Sequence, residues 1–211
     1  AAGEVVGVVV DAGPDPRAVD RCLRKLGVTR VPLVVLTHFH ADHVAGLAGV
    51  LRGRAVGAIE VTGFEEPVDQ VGFVRRAARE AGVPVVRAVA GERRRVGELE
   101  WEVLWPPGGG VLGEGANDAS VAMYVRVGGL RVLMLGDLEP VGQRAMVDSG
   151  ALAGVLRGGV DVVKVAHHGS AHQDAGLMRA VGARVALISC GAGNSYGHPA
   201  PSTVAALREA A

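Results

Sequence analysis

Cysteine and aromatic residues are scarce in this chain, and both shortages narrow the choice of fold and site. The 211 residues include two cysteines, Cys22 and Cys190, which are too few for a disulfide framework or a thiolate zinc cluster. Aromatic residues make up 3% of the chain, whereas glycine occurs 32 times and 49% of the residues are hydrophobic. This composition favours close-packed helices on sheets around one sizeable core.

Net charge is also missing. Lysine plus arginine and aspartate plus glutamate number 22 each, so the chain as a whole does not attract nucleic acid or anionic lipid. Any such attraction must be local, and the densest basic runs are Arg93 to Arg95 and the group of Arg75, Arg76 and Arg79. These arginines could contact phosphates, but the pattern favours a solvated hairpin tip and a solvated helix face.

Long apolar runs are absent as well. No stretch approaches the roughly 18 consecutive apolar residues of a membrane span, so we predict no transmembrane segment in this chain. The chain opens on Ala1 rather than methionine, and nothing near its start resembles a signal peptide. We therefore expect a piece excised or processed from a longer protein.

Hydrophobic periodicity predicts two α/β halves around a hairpin region. In the first half, buried strands are predicted at 5–10, 31–36, 55–61 and 83–89, and helices after Asp15, at 44–51 and at 68–81. In the middle, alternation predicts a strand at 95–105 and a hairpin of 121–127 with 130–135 around Gly128-Gly129, with a Gly/Pro-rich loop at 106–115. In the second half, helices are predicted at 140–149, at 175–181 and from Ser202, and strands at 160–165 and 185–189.

The most informative segment follows the apolar run at 31–36. His38, His40, Asp42 and His43 place four ligand-type side chains within six positions. Residues two apart on an extended chain point the same way, so His38 and His40 can approach one ion, while Asp42 and His43 can face a second. Neutral imidazole and carboxylate suit zinc, iron or manganese, so this segment predicts a metal site rather than a histidine-rich surface loop.

Polar residues also follow other predicted strands, where α/β folds bind their ligands. They are Asp11, Asp137, the pair His167 and His168, and the run from Asn194 through Tyr196 to His198. Each has a structural alternative: Asp11 could cap a turn, Asp137 could begin a helix, and the histidines could be buried or loop residues without a ligand. Together they fit a site in which Asp137 bridges two divalent ions and a water attacks a polarised electrophile. Asp11 would orient a ligand histidine through its other ring nitrogen.

The segment from His38 to His43 has the HxHxDH signature of the metallo-β-lactamase superfamily, and the order of motifs resembles one branch of it. The branch is the C-terminal domain of the ComEC family of DNA-internalisation competence proteins. The matching segments are Asp11-Ala12-Gly13-Pro14, Asn117-Asp118-Ala119-Ser120, Leu135-Gly136-Asp137, Lys164-Val165-Ala166-His167-His168-Gly169-Ser170 and Tyr196-Gly197-His198-Pro199.

This resemblance implies a fold, a location and a reaction. The fold is an α/β, four-layer αβ/βα metallo-β-lactamase sandwich, with residues 1–211 forming a single domain trimmed at both ends from a larger membrane protein. The domain would lie on the extracytoplasmic face of the cell membrane, joined to a channel of the same polypeptide. Its task would be to hydrolyse the DNA strand that is not imported during natural transformation, with two divalent metal ions, manganese or zinc, as cofactors.

The resemblance also assigns residues. The implied metal ligands are His38, His40, Asp42, His43, Asp137 and His168, although His167 and His168 could exchange roles. The implied catalytic residues are Asp42, Asp137 and His167. The implied substrate-binding residues are Asn117, Ser120, Lys164, Ser170, Asn194, Tyr196 and His198.

Two departures keep other functions open. The histidine that the wider superfamily carries in its third motif is replaced near Asn117, which favours a weak or empty first metal site. The opening and closing strands usual in ComEC domains are not found in these residues. A non-catalytic DNA-binding or regulatory module, or another metallo-hydrolase such as a phosphorylcholine esterase or a lactonase, therefore remain alternatives.

Overall fold

A computed structural model of the chain describes residues 4–108 and 115–210, in two compact units, Ala1–Ala88 and Val89–Ala211. The predicted loop at 106–115 lies largely outside the described residues. No helix in the described part of the chain is long and apolar enough to cross a bilayer.

The first unit is built on a parallel sheet. Its strands are β1 (Val5–Val6), β2 (Val9–Val10), β3 (Val28–Leu36), β4 (Ala55–Val61) and β5 (Val85–Arg87), in the order β1-β3-β4-β5 with β2 also pairing with β3. Its helices are α1 (Pro16–Lys25), α2 (Ala41–Val44), α3 (Leu47–Leu51) and α4 (Val68–Glu80). The strand predicted at 5–10 is thus two short strands, and the helix predicted at 44–51 is two short helices.

Local sequence explains the conformation of α1, of β3 and of the segment around Gly46 in the first unit. Asp15 caps α1 by accepting the Arg17 N–H at 2.7 Å, and Pro16 occupies the first turn, where a missing N–H costs nothing. The C-terminal half of β3 is fully buried, which matches its unbroken apolar run. Gly46 lies so close to the Ala12 carbonyl that a Cβ would overlap it, so glycine is required there.

The second unit is built on a mixed sheet. Its strands are β6 (Arg93–Val96), β7 (Leu99–Trp105), β8 (Ala122–Val127), β9 (Leu130–Met134), β10 (Val162–Lys164) and β11 (Val185–Leu187), in the order β11-β10-β9-β8-β7-β6. Strands β6 to β9 are antiparallel, and β9, β10 and β11 are parallel. Its helices are α5 (Pro140–Asp148), α6 (Ala153–Gly158), α7 (Ala175–Val181) and α8 (Pro201–Ala210).

Two features of the second unit differ from the prediction. The strand predicted at 95–105 is a hairpin of β6 and β7, because Gly97 adopts φ +60° and turns the chain. Helix α6 was not predicted, since its short, glycine-rich sequence has too few turns to show a helical period. The predicted Gly128-Gly129 hairpin is present, with φ values of +56° and +81° that suit a two-residue turn.

One ion pair ties the parallel part of this sheet to its antiparallel part. Two nitrogens of the Arg131 guanidinium on β9 each donate at 2.9 Å to the Asp161 carboxylate, just before β10. Hydrogen bonds from the Arg131 side chain and backbone lower the pKa of Asp161 to about 2. The Asp161 carboxylate is therefore ionised at neutral pH and stays paired with Arg131.

Candidate metal centre

In the first unit, three histidines gather at the carboxyl end of β3. The His38 ring lies 4.6 Å from that of His40 and 4.1 Å from that of His43, measured between centroids. His38 and His43 are buried, whereas Asp42 is exposed on the first turn of α2, with a carboxylate oxygen 3.7 Å from His43 Nε2. The structure therefore brings together the four ligand-type residues that the sequence places within six positions.

Asp11 and Thr37 fix the orientation of the two buried rings. The Asp11 carboxylate accepts hydrogen bonds from the Thr37 N–H at 2.8 Å and the Thr37 hydroxyl at 3.0 Å, and its Oδ2 lies 2.8 Å from His43 Nδ1. Burial raises the pKa of Asp11, but attraction to His43 and the hydrogen bonds from His43 and Thr37 outweigh it, so the pKa is lowered. Asp11 is thus ionised, and His43 Nδ1 must carry the hydrogen.

The same chain of hydrogen bonds reaches His38. Because the Thr37 hydroxyl hydrogen is donated to Asp11, its oxygen can accept from His38 Nδ1, which lies 3.2 Å away. When these rings are neutral, Nδ1 carries the hydrogen and Nε2 presents a lone pair. This is the tautomer that a metal-ligating histidine needs when its other nitrogen is held by a hydrogen bond.

We expect Asp11→Asn to weaken divalent-metal binding about 10- to 100-fold, the usual cost of changing a group that orients a ligand histidine. The amide has no charge to hold the His43 Nδ1 hydrogen in place. Titration calorimetry with zinc and with manganese measures the affinity. Asp69→Asn, an exposed change on α4, is the matched control, and wild-type affinity in the Asp11 variant would contradict the role.

In the second unit, Asp137 follows β9 and is buried. Its backbone N–H donates to the Ser120 hydroxyl oxygen at 3.0 Å, and its carboxylate Oδ2 lies 3.2 Å from His168 Nε2. The other His168 nitrogen, Nδ1, lies 2.7 Å from the Ser189 carbonyl oxygen. A carbonyl only accepts, so His168 Nδ1 must carry a hydrogen.

The contact between Asp137 and His168 therefore calls for a cation. With its hydrogen on Nδ1, a neutral His168 presents a lone pair at Nε2 to a carboxylate oxygen, and two acceptors at 3.2 Å repel each other. A proton on Nε2 or a metal ion between the two atoms removes the repulsion. Imidazole and carboxylate are together a suitable donor set for a divalent transition metal.

Three of the predicted site residues have an unusual backbone conformation. Among the residues that the structure describes, Asp11, His167 and His168 are the non-glycine residues with positive φ, at +58°, +46° and +53°. The left-handed region costs a residue with a side chain roughly 1–2 kcal/mol. Strain of this kind is concentrated at functional sites, where it directs a side chain that an unstrained turn would point elsewhere.

His167 faces a second carboxylate. Its Nδ1 lies 3.4 Å from Glu139 Oε1, and Glu139 also accepts from the Asn117 side-chain amide at 3.0 Å. Burial lowers the pKa of His167, and the nearby carboxylates of Asp137 and Glu139 offset only part of that effect. His167 is therefore neutral at neutral pH and can donate or accept a proton.

The loop after β11 brings His198 to this group. Its ring lies 5.7 Å from that of His167 and 6.5 Å from that of His168, and Tyr196 stacks on it at 5.8 Å with an exposed side chain. Asn194, by contrast, uses its amide within the loop, donating to the His198 carbonyl at 2.8 Å and accepting from the His198 N–H at 3.0 Å. Asn194 thus shapes the loop that presents Tyr196 and His198.

Other predicted substrate-binding residues have structural contacts. Ser120 is buried beneath Asp137, and the hydroxyl of the buried Ser170 accepts from the His172 N–H at 3.3 Å. Lys164 donates from Nζ to the Val165 carbonyl at 3.1 Å. Ser120 and Ser170 are both buried and engaged within the fold, so their contact with a substrate remains a prediction.

Sequence reasoning overlooked two residues of the site. Thr37 links Asp11 to His38, and Glu139 faces His167. Thr37 immediately precedes His38, and Glu139 lies two residues after Asp137. A polar residue at the end of a buried strand was the available signal for Thr37.

The chain is similar to known proteins over most of its length. The model of the family described as "Metallo-beta-lactamase superfamily" matches residues 5–191. ComE operon protein 3 of Bacillus subtilis (strain 168) is 28% identical over 176 residues, which are 82% of this chain and 22% of that protein. Competence protein ComA of Neisseria gonorrhoeae is 30% identical over 178 residues, which are 84% of this chain and 22% of that protein. The chain thus spans about a fifth of the length of these curated relatives.

Solved structures also match. Zinc-bound PqqB from Methylobacterium extorquens is 18% identical, and the match covers 74% of this chain and 55% of that chain with a TM-score of 0.48.

Proposed function

The chain belongs to the metallo-beta-lactamase superfamily, and on that premise we propose that it is a metal-dependent phosphodiesterase that cleaves DNA. Membership confirms the predicted α/β metallo-β-lactamase fold, of which the two sheets and their helices are the components. The predicted resemblance to ComEC is confirmed by the two competence-protein relatives. At this coarser level the protein is a hydrolase of the superfamily, and its substrate is the proposal.

The observation that carries the proposal is the contact between Asp137 and His168. The buried Asp137 carboxylate lies 3.2 Å from His168 Nε2, and the other His168 ring nitrogen is held by a carbonyl, so these two groups can serve as ligands to one divalent cation. The lone pairs of His38 and His43, fixed through Thr37 and Asp11, supply ligands of the same chemistry. Both sets suit a hard divalent ion and an oxygen-rich substrate.

We assign the ligands as the family plan implies. His38 and His40 would hold one ion, Asp42, His43 and His168 would hold the other, and Asp137 would serve both. The ions would be manganese or zinc, since imidazole and carboxylate accept either. When bound, such ions polarise phosphoryl oxygens and lower the pKa of water toward neutrality.

The protein groups would then handle the substrate and the protons. Asp42, an exposed carboxylate beside His43, can accept a proton from the attacking water. His167, neutral at neutral pH because of its burial, can donate a ring N–H to a phosphoryl or leaving oxygen. Tyr196 and His198, stacked on each other, offer an aromatic surface to a base of an unpaired strand.

The proposed substrate and location are taken from the role of the relatives. One of the two curated relatives, Competence protein ComA, carries competence in its name, and DNA uptake is the process that we propose the chain serves. We propose that the domain lies on the extracytoplasmic face, attached to a membrane channel of the same polypeptide, and degrades the strand that is not imported. Single-stranded DNA is its proposed partner.

A nuclease assay tests the proposal. End-labelled single- and double-stranded DNA is incubated with the metal-free chain and with manganese, zinc or magnesium added one at a time. We expect products that depend on manganese or zinc and disappear with a chelator. Turnover of a phosphorylcholine ester or a lactone without any cleavage of DNA would instead identify another hydrolase.

One observation favours a second candidate, a non-catalytic DNA-binding or regulatory module. The segment where the third-motif histidine would stand has structural contacts: Asn117 donates to Glu139, Asp118 accepts from the Gly142 N–H at 2.9 Å, and Ser120 supports Asp137. None of the three has an imidazole that could serve as a further ligand to an ion that His38 and His40 would hold. Elemental analysis after reconstitution discriminates, because DNA binding without any bound transition metal would support this candidate.

A further inference from the structure

A cleft of about 790 Å³ in the second unit is rich in arginine. It runs beside β6, β7 and β8 and is bordered by residues 150–157, and none of its lining residues belongs to the proposed metal centre. Five arginines line it together with two glutamates, in a chain that has no net charge: Arg93, Arg94, Arg95, Arg126 and Arg157. The cleft is thus a local concentration of positive charge.

Strand register places most of these arginines on one face. Arg95 pairs with Glu100 and Glu100 with Arg126, and Arg93 pairs with Glu102 two residue pairs along the hairpin. Residues that pair across strands share a face of the sheet, so Arg93, Arg95 and Arg126 project together. Arg94 alternates to the opposite face, and the site proposed below does not include it.

The carboxylates on this face do not neutralise the arginines. Glu100 is shared, with Arg126 at 3.0 Å and Arg95 at 3.6 Å, and Glu102 pairs with Arg93 at 3.1 Å. Arg157 has no carboxylate within 4.0 Å in the described ranges of the chain, so four guanidinium groups face two carboxylates. Exposed ion pairs of this kind are weak, so an incoming phosphate can compete for these arginines.

The shape of the cleft suits a chain rather than a flat surface. The side formed by α6 and the residues before it has small side chains, including Ala151, Ala153 and Gly154, and a Cβ at Gly154 would meet nothing within 4 Å. Tyr124 is 9% exposed, and its hydroxyl donates to the Gly159 carbonyl at 2.9 Å. A buried tyrosine cannot act as the projecting aromatic anchor that membrane interfaces favour.

We propose that this arginine cleft binds the sugar-phosphate backbone of single-stranded DNA. The guanidinium groups of Arg93, Arg95, Arg126 and Arg157 would donate to phosphate oxygens without reading the bases, so binding would be independent of sequence. Choosing DNA as the ligand rests on the proposed function. Arg126 lies near the end of β8, whereas Ser120, which supports Asp137, lies before the start of β8. The cleft would therefore bind DNA at a place separate from Asp137.

Binding measured without metal tests the cleft separately from cleavage. The chain is titrated, with chelator present, against fluorescein-labelled oligothymidylate of about 20 nucleotides, longer than the roughly 4–16 that one single-strand binding module covers. For Arg126→Ala/Arg157→Ala we expect the Kd to rise at least about 10-fold. The slope of log Kd against log salt should fall by about 1.4, since each phosphate contact on a single strand contributes about 0.7.

Two further variants separate the cleft from charge in general. Gly154→Glu adds a carboxylate where the structure leaves open space, and it should weaken binding with no loss of thermal stability. Arg76→Ala/Arg79→Ala removes the same charge from α4 of the first unit and should leave the Kd within about 2-fold, because only local charge contributes to the contact. Unchanged binding in both cleft variants would overturn the inference.

The DNA-binding result does not depend on whether the proposed metal centre is catalytically active. Cleft variants should still hydrolyse bis(p-nitrophenyl) phosphate at the wild-type rate if the chain is a phosphodiesterase, because this substrate is too small to reach the cleft. Loss of DNA binding in the cleft variants supports the inference even if no cleavage is ever seen. Cleft-dependent binding to vesicles of equimolar phosphatidylcholine and phosphatidylglycerol, with none to DNA, would contradict it and identify a membrane contact.

Discussion

Asp137→Asn is expected to abolish metal-dependent phosphodiesterase activity, lowering kcat/KM by more than about 100-fold. Changing a residue that only orients a ligand already costs about 10- to 100-fold, and Asp137 is the proposed shared ligand itself. The amide keeps the size of the side chain and the backbone hydrogen bond to Ser120, but it removes the charge. Activity on labelled DNA with manganese or zinc, and metal content by elemental analysis, measure the effect.

The same variant should behave differently without metal. The amide introduced by Asp137→Asn can donate to His168 Nε2, which in the wild type faces a carboxylate oxygen at 3.2 Å. We therefore expect the variant in chelator to be at least as stable to heat as the wild type. Asp148→Asn, an exposed change on α5, is the matched control and should keep full activity. Full activity of Asp137→Asn would remove the basis for the proposed function.

Trp105→Ala is expected to destabilise the protein by about 3–5 kcal/mol, the usual cost of truncating a buried tryptophan. Trp105 is 1% exposed at the end of β7 and packs in the core of the second unit with Leu133, Leu135 and Leu138. Its indole N–H also donates to the Asp118 carbonyl at 2.7 Å. A loss of this size is a large part of the stability of an ordinary domain.

Urea unfolding followed by far-UV circular dichroism measures this loss. Trp105→Phe keeps most of the packing and removes the hydrogen bond, so it should cost less, about 1–3 kcal/mol from the unsatisfied carbonyl. Tyr196→Ala truncates an exposed aromatic residue and should change the free energy of unfolding by no more than about 0.5 kcal/mol. A cost below about 1 kcal/mol for Trp105→Ala would contradict the packing described for this core.

The two predictions concern connected parts of the second unit. Trp105 holds the backbone of Asp118, and two residues later the Ser120 hydroxyl accepts the Asp137 N–H. Metal content measured on folded Trp105→Phe would therefore report how far this core contact positions Asp137. Packing around Trp105 thus helps to hold the Asp137 carboxylate in a buried position, where an unsupported polar group would cost free energy.

Local patterns were enough to predict most of the elements. The apolar run of β3 and the Gly128-Gly129 turn depend on residues that are neighbours in the chain, so periodicity and turn chemistry reveal them. The predictions were wrong where a short turn or a short helix interrupts a longer pattern, as at Gly97 and in α6. Such elements gain their stability from tertiary contacts, which a local pattern does not contain.

The candidate site divides in the same way. The sequence by itself determined that His38, His40, Asp42 and His43 lie together, because a strand followed by one turn of helix leaves them no room to separate. It also determined the family, through motifs at fixed order along the chain.

Only the tertiary structure decided which atoms meet. The contact of Asp137 with His168, the link from Asp11 to His43 and the pairing of Arg95 with Glu100 depend on strand register and loop conformation. The Ser120 hydroxyl likewise accepts the backbone N–H of Asp137, a contact between distant positions that no local pattern contains. A buried polar group must find a partner within hydrogen-bond distance, and distance in the folded chain is set by packing over the whole unit.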